Sequence, residues 1–249
     1  QDGCVLQARA RGVNLFYFYD LVEKPLFDGL AHLVRRARRS ILIASGSERR
    51  GREALRADLE ATQRRLSVGC LDVFFTQYVT PTESLPDVFG RRGSIDTLVE
   101  AKREGAIRYV GASAHNRALA IRLIDDPRVD VVMHRFNMAH RKAAADVLPA
   151  ARRAGKPLWA FTATRWSSLL EGHPAWNGPA PSAADCYRFC LAHPGVQAVV
   201  IAPLSLKELR ADLGVLRRPP MGDPERRRWE RYGDLVYGDG RDPFDTAWP

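Results

Sequence analysis

Stretches of helical and strand periodicity alternate along almost the whole of this chain, and that alternation restricts the fold more than any other feature. The clearest unit is residues 94–116. Ser94 reads as an N-cap, Ile95, Leu98, Val99 and Ala101 share one helical face, and Gly105 reads as a stop. Residues 107–112 then form a short β-rich run that ends in small and polar residues. In parallel α/β folds, side chains just past the carboxyl end of a buried strand point into a crevice while the strand below stays packed, so Ser113, His115 and Asn116 should edge any site.

The same reading predicts helices over 4–10, 26–37, 52–66, 118–124, 143–154 and 183–192, with a last barrel helix opened by a capping box at Ser205. Strands are predicted over 13–19, 41–45, 71–78, 129–135, 158–162 and 196–202 in addition to 107–112, and residues 79–93 read as a long loop. Helical crossovers between strands make those strands parallel, and continuous apolar runs such as 196–201 mark strands buried on both faces. At 249 residues and 45% apolar content the chain suits one large core, read here as a single domain over 1–249 with a tail at 238–249. Eight such units close a TIM (β/α)8 barrel. Seven strands predict a barrel whose first strand lies upstream of Gln1 or has been dispensed with. The competing architecture is an open doubly wound sheet, but no Gly-rich dinucleotide fingerprint follows any strand.

The formal charge of +9 raises nucleic acid as a partner, yet Arg outnumbers Lys 33 to 5 and the basic residues are scattered over helix faces without aromatic interleaving. The expectation is a small-molecule ligand and no nucleic acid. Four cysteines in a chain this long make no disulfide framework, and no apolar run approaches the roughly 18 residues of a membrane span. A reduced, cytoplasmic setting and no membrane partner are expected; oligomeric state is left open. Cys186, Cys190 and His193 have a spacing that could hold a metal, but they read as a buried helix face alongside Tyr187, Phe189 and Leu191.

Six runs carry a family resemblance: GVNLFYF from Gly12, RRLSVGCLDVFF from Arg64, GAIRYVGAS from Gly105, VDVVMHRFN from Val129, LWAFTAT from Leu158 and VVIAPLSLKELRADL from Val199. In order and spacing they resemble the strand and helix landmarks of the aldo-keto reductases. The resemblance implies a (β/α)8 barrel with NAD(P)H across its carboxyl-terminal mouth and an Asp, Tyr, Lys, His set that reduces carbonyls. By that correspondence the Asp falls at Tyr17, the Tyr at Val22, the Lys at Gly46 and the His at Gln77. The usual proton donor, a tyrosine acidified by a neighbouring ammonium, is then missing.

For the cofactor, the resemblance implies that Ser113 would hold the nicotinamide amide and Phe161 would stack on the ring, with Ala114 and Met133 replacing an Asn and a Gln. Ser205, Lys207, Arg210 and Asp212 lie in the segment that would grip the adenosine end. NADP is the cofactor to expect, bound weakly or not at all.

Strand parity turns Val73, Phe75 and Gln77 inward, likewise Tyr17, and Met133, Arg135 and Asn137, while His134 points toward the helices. Tyr17, Gln77, His115 and Arg135 are the candidate catalytic groups, and Asn137, Arg165 and Trp166 the candidate pocket residues. Neutral hydrogen-bonding groups beside one inward arginine suit an anionic or carbonyl-bearing small molecule. Three function classes are compatible with these residues: an NAD(P)H oxidoreductase with a rebuilt donor, a redox-inactive barrel that binds a ligand or partner, and a non-redox enzyme such as a lyase or cyclase.

Overall fold

The computed structural model describes residues 2–19 and 24–238; Val22 and residues 239–249 of the tail lie outside the described residues. In chain order the elements are α1 (Asp2–Ala10), β1 (Leu15–Tyr17), α2 (Lys24–Ala37), β2 (Leu42–Ser47), α3 (Arg52–Leu66), β3 (Leu71–Val79), α4 (Leu85–Phe89), α5 (Ser94–Arg103) and β4 (Ile107–Ala114). There follow α6 (Arg117–Asp125), β5 (Val131–Arg135), α7 (Val147–Arg153), β6 (Leu158–Phe161), α8 (Ala183–Leu191), β7 (Ala198–Val199), α9 (Leu206–Asp212) and α10 (Asp223–Tyr237). The strands are hydrogen-bonded in chain order, β1 through β7, which is the order a wound barrel requires and not that of an open doubly wound sheet.

Several local expectations need correction. Ser94 is the first residue of α5 and not its cap: Gly93 occupies that position, and the Ser94 hydroxyl instead bonds the Thr76 hydroxyl at 2.8 Å. The loop over 79–93 contains α4, and β7 is only two residues long. The helix predicted over 143–154 is a 3-10 turn, Lys142–Ala144, followed by α7. Asp146 restarts the helix by accepting from the Val147 N–H at 2.7 Å, and Pro149 then sits in the first turn, where a missing N–H leaves nothing unpaired. Helix α10 was not anticipated; its sequence is heavily charged and only Trp229, Tyr232 and Gly233 are buried.

The chain forms two compact units, Gln1–Ala114 with Asp126–Val132 and Pro203–Leu209, and His115–Asp125 with Met133–Ala202 and Arg210–Pro249. In the first, β1, β2, β3 and β4 pair in parallel, with Tyr17 opposite Ala44, Gly46 opposite Phe75 and Phe75 opposite Gly111. Phe75 is fully buried, and its ring occupies the space that Gly111 leaves: a Cβ there would meet it at 2.5 Å. On the other face of β3, Phe74 is buried and Thr76 bonds α5, confirming the alternation read from sequence. Buried Leu55, Leu59 and Leu66 of α3 and Ile95, Leu98 and Ala101 of α5 show which helix faces turn inward. Gly105, at φ +78, ends α5 in a conformation that other residues adopt only under strain. Asp72, fully buried, accepts from the Ile43 N–H at 2.8 Å and pairs with Arg38 at 2.8 Å and Arg108 at 3.1 Å.

In the second unit, the Phe136 N–H bonds the Phe161 carbonyl at 2.8 Å, joining β5 to β6, and β7 pairs with β6 in parallel. Cys186 and Cys190 are fully buried; the Cys190 thiol bonds the Phe136 carbonyl and His193 bonds the Phe189 carbonyl. Among the described residues no group of side chains could hold a metal. Tyr187 and Phe189 belong to this buried face as expected, but Leu191 is exposed. Ser182 and Asp185 form a capping box at the start of α8. Helix α10 is fixed by close approach and by charge. A Cβ on Gly233 would lie 2.0 Å from the Met138 carbonyl oxygen, the Tyr232 hydroxyl donates to the Leu169 carbonyl, and Glu225 accepts both terminal nitrogens of Arg188.

Candidate functional site

In the first unit the carboxyl ends of β1 and β3 bring Tyr17 and Gln77 together. The Gln77 amide nitrogen donates to the Tyr17 phenol oxygen at 2.8 Å, and the phenol ring stands edge-on to Phe75 with centroids 6.0 Å apart. Gly46, on the strand between, has no room for a side chain: a Cβ would sit 2.5 Å from the Phe75 carbonyl oxygen and 2.8 Å from the Gln77 Cγ. The described members of this cluster are a phenol, an amide and an aromatic ring, none of which carries a formal charge.

The end of β3 is held by a residue sequence reasoning missed. Arg50 donates to the Gln77 carbonyl at 2.7 Å and the Tyr78 carbonyl at 3.3 Å, while Glu83 receives its guanidinium in a two-point pair. Tyr78 takes φ +51 in a register irregularity between Thr76 and Val79, and its N–H donates to the Ser113 hydroxyl at 2.8 Å. Nothing local in the sequence marks Arg50, because its partners lie 26 to 33 residues away. Further along this unit, the Ser205 hydroxyl accepts from the Glu208 N–H as a helix cap, and Lys207 is exposed. The capping box predicted there is only half formed, since Glu208 reaches back to the Leu204 N–H and not to that of Ser205.

In the second unit His115, Asn116, Arg117, His134, Arg135, His140 and Lys142 line a cavity of about 130 Å³ with Ala143 and Tyr237. Three predicted residues, His115, Asn116 and Arg135, thus share a wall; Tyr17 and Gln77 are not among its lining residues. His134, buried at 1% exposure, lines the cavity as well as Arg135, so parity does not separate the two as expected. The His115 ring lies 5.0 Å from the Phe161 centroid and 6.3 Å from that of Trp166. Burial first, then the electrostatic influence of Arg135 and of His134, push its pKa down to about 3, so the imidazole is neutral at physiological pH.

Several of the remaining predicted residues are engaged in holding the structure. The fully buried Asn137 donates to the Thr162 carbonyl and accepts from the Ala139 and His140 N–H groups, which shapes the turn after β5. Arg165 is buried and donates to the Val236 carbonyl in the last turn of α10. Arg165, Trp166 and Ser167 all have left-handed backbones, at φ +51, +50 and +72. Trp166 is exposed. Asp212 is buried and hydrogen-bonded to the Tyr187 side chain, whereas Arg210 is exposed.

The model of the aldo/keto reductase family matches residues 32–174, more than half of the chain. Among solved structures, the chain is similar to aldo-keto reductase AKR11C1 from Bacillus halodurans in its holo form (TM-score 0.76, 16% identity) and apo form (TM-score 0.75, 16% identity), each match covering 93% of this chain and 85% of the other. It is similar also to the thermostable aldo-keto reductase Tm1743 in complex with the inhibitor epalrestat, with TM-score 0.73, 20% identity, and coverage of 93% and 86%. At these identities the likeness shows the fold, the α/β barrel type expected from the alternation of elements. The family match over residues 32–174 completes the identification: this chain belongs to the aldo/keto reductase family.

Proposed function

We propose that this protein is a divergent aldo-keto reductase that binds a carbonyl- or carboxylate-bearing small molecule and does not turn over ordinary aldehydes. The observation that carries this reading is the 2.8 Å bond from Gln77 to Tyr17, a neutral amide on a phenol. A tyrosine with its ordinary pKa near 10 protonates a developing alkoxide efficiently only when a neighbouring cation lowers that pKa. An amide supplies no such charge. Gly46, which takes the Lys position by resemblance, is closed to any side chain by Phe75 and Gln77. Tyr17 and Gln77 can still hydrogen-bond a ligand oxygen, which is binding chemistry.

Several residues that the resemblance assigns to the nicotinamide dinucleotide have other partners or lack the implied group. The Ser113 hydroxyl already accepts from the Tyr78 N–H, Ala114 and Met133 offer no amide, and His115 leans on the Phe161 ring. Asp212 is buried against Tyr187, whereas Lys207 and Arg210 are exposed. NADP binding is therefore expected to be weak or absent, and the reading assigns no step to it.

The test is NADPH fluorescence titration followed by NADPH oxidation with a panel of aldehydes and ketones. The expected outcome is little change in nicotinamide emission and no turnover. Rates in the common enzyme range of about 1 to 1000 per second would overturn the proposal and establish a reductase with a rebuilt donor.

A further inference from the structure

The carboxyl end of β3 departs from regular pairing just where Gln77 sits. Thr76 pairs with Ala112 and Val79 with Ala114, so three steps along β3 match two along β4, and Tyr78 takes φ +51 within that stretch. A bulge leaves backbone groups without their regular ladder partners, and buried groups of that kind must be paired by other means. Here side chains supply the partners. The Ser113 hydroxyl accepts the Tyr78 N–H at 2.8 Å, and Nη2 of Arg50 donates to the carbonyls of Gln77 at 2.7 Å and Tyr78 at 3.3 Å.

Arg50 is itself held from both sides. Its Nε and Nη2 meet the two carboxylate oxygens of Glu83, its Nη1 reaches the Thr76 hydroxyl at 3.3 Å, and the pair is largely buried, with side-chain exposures of 15% and 20%. Glu83 also accepts from the Thr80 N–H at 2.8 Å, which ties the turn after β3 to the same guanidinium. On the other side, the Ser47 hydroxyl accepts the Arg49 N–H at 2.9 Å and donates to Asp58 of α3 at 2.5 Å, so the segment that delivers Arg50 is anchored to its neighbouring helix. One planar fork thus joins the end of β2, the bulge of β3 and the turn beyond it. A lysine ammonium is a compact point charge and cannot reproduce that set of directions.

We infer that Arg50 is the positioning residue of the Gln77–Tyr17 pair: by pairing the bulge carbonyls it fixes the backbone from which the Gln77 amide reaches the Tyr17 phenol. The Gln77 Cγ lies 2.8 Å from where a Cβ on Gly46 would stand, so the side chain runs close over β2 and a shifted backbone would carry its amide away from the 2.8 Å bond. Arg50 acts through Gln77 and not on a ligand directly. As a determinant of ligand affinity it rests on the binding role proposed above for Tyr17 and Gln77; as a determinant of side-chain geometry it does not.

Nuclear magnetic resonance of the whole chain labelled with 15N-glutamine reads the geometry without any ligand. The side-chain amide of Gln77, assigned by its loss in Gln77→Leu, should exchange slowly with water in the parent. In Arg50→Lys and in Arg50→Gln it should move toward the position of an exposed glutamine amide and exchange about tenfold faster or more, while the amide of Gln197 in the second unit stays in place. Should both Arg50 variants fail to fold, Glu83→Gln, which takes the carboxylate from the guanidinium, should move the same signal in the same direction. A Gln77 amide unchanged in a folded variant would overturn the inference, and retention in Arg50→Lys would do so by reducing the role to charge alone. Benzoate, followed by its effect on the same amide, tests the ligand site separately and should bind the parent about tenfold more tightly than Arg50→Lys. Equal benzoate affinity in the two overturns the effect on affinity. If the parent does not respond to benzoate, carboxylate binding at this pair fails, and the amide signal alone decides the positioning role.

Discussion

Gln77 and Tyr17, sixty residues apart in sequence, are joined by a 2.8 Å hydrogen bond from amide nitrogen to phenol oxygen. The bond spans β2, which lies between β1 and β3 and carries Gly46 where a Cβ would sit 2.8 Å from the Gln77 Cγ.

Gly46→Ala should therefore destabilise the fold. The new Cβ would collide with the Phe75 carbonyl oxygen at 2.5 Å and with the Gln77 Cγ at 2.8 Å, and a backbone oxygen cannot rotate away. A loss of about 1 to 3 kcal/mol is expected, seen as a lower urea midpoint at an unchanged slope. A midpoint equal to that of the parent would show that β2 and β3 have more freedom than this packing implies.

Gln77→Leu keeps the volume and removes the donor. It should cost about 1 kcal/mol in stability and weaken binding of carbonyl or carboxylate ligands that use the Tyr17 hydroxyl. Chemical denaturation measures the first effect and ligand-induced shifts in melting temperature the second. Ligand shifts that persist undiminished in the variant would remove this pair from the binding site.

His115 makes stability depend on pH. Its folded pKa, about 3, lies below the ordinary value of 6.5, so the unfolded chain takes up a proton first. Its contribution is fully present above about pH 6.5 and is lost as the pH falls from there toward 3. Allowing for partial exposure of the ring, we expect about 1 to 3 kcal/mol. Comparing urea midpoints at neutral and acid pH for the parent and His115→Phe isolates it from other titrating groups, and the variant should show the shallower decline.

Ser167→Gly should stabilise the protein. Ser167 is exposed, caps nothing with its side chain and holds φ +72, the third of three consecutive left-handed residues. Glycine adopts that conformation without the Cβ penalty, for a gain of up to about 1 kcal/mol after its larger unfolded-state entropy is counted. Thermal unfolding reads the sign directly, and a fall in melting temperature would contradict it.

Features that depend on neighbours a few residues away were legible in the sequence. The 3.6-residue spacing over Arg52–Leu66 marked α3 to the residue, Gly105 marked the end of α5, and the helix read over 183–192 begins where α8 begins, because each is a contest between local hydrogen bonds and backbone sterics. Alternation of these elements carried the parallel, chain-ordered strands and hence the fold. Tertiary structure alone decided which polar groups meet. Ser94 had every local mark of a cap, yet its hydroxyl is taken by Thr76; Arg50 had no local mark, yet it holds the strand end that presents Gln77. The cavity likewise joins His115 and Arg135, which parity and strand-end logic had selected, to Arg117, Lys142 and Tyr237, which nothing in their own segments had. Side-chain charges and donors interact over a few ångströms in space, and residues 100 or more positions apart become neighbours only when helices such as α10 dock, a step governed by packing that no sequence period encodes.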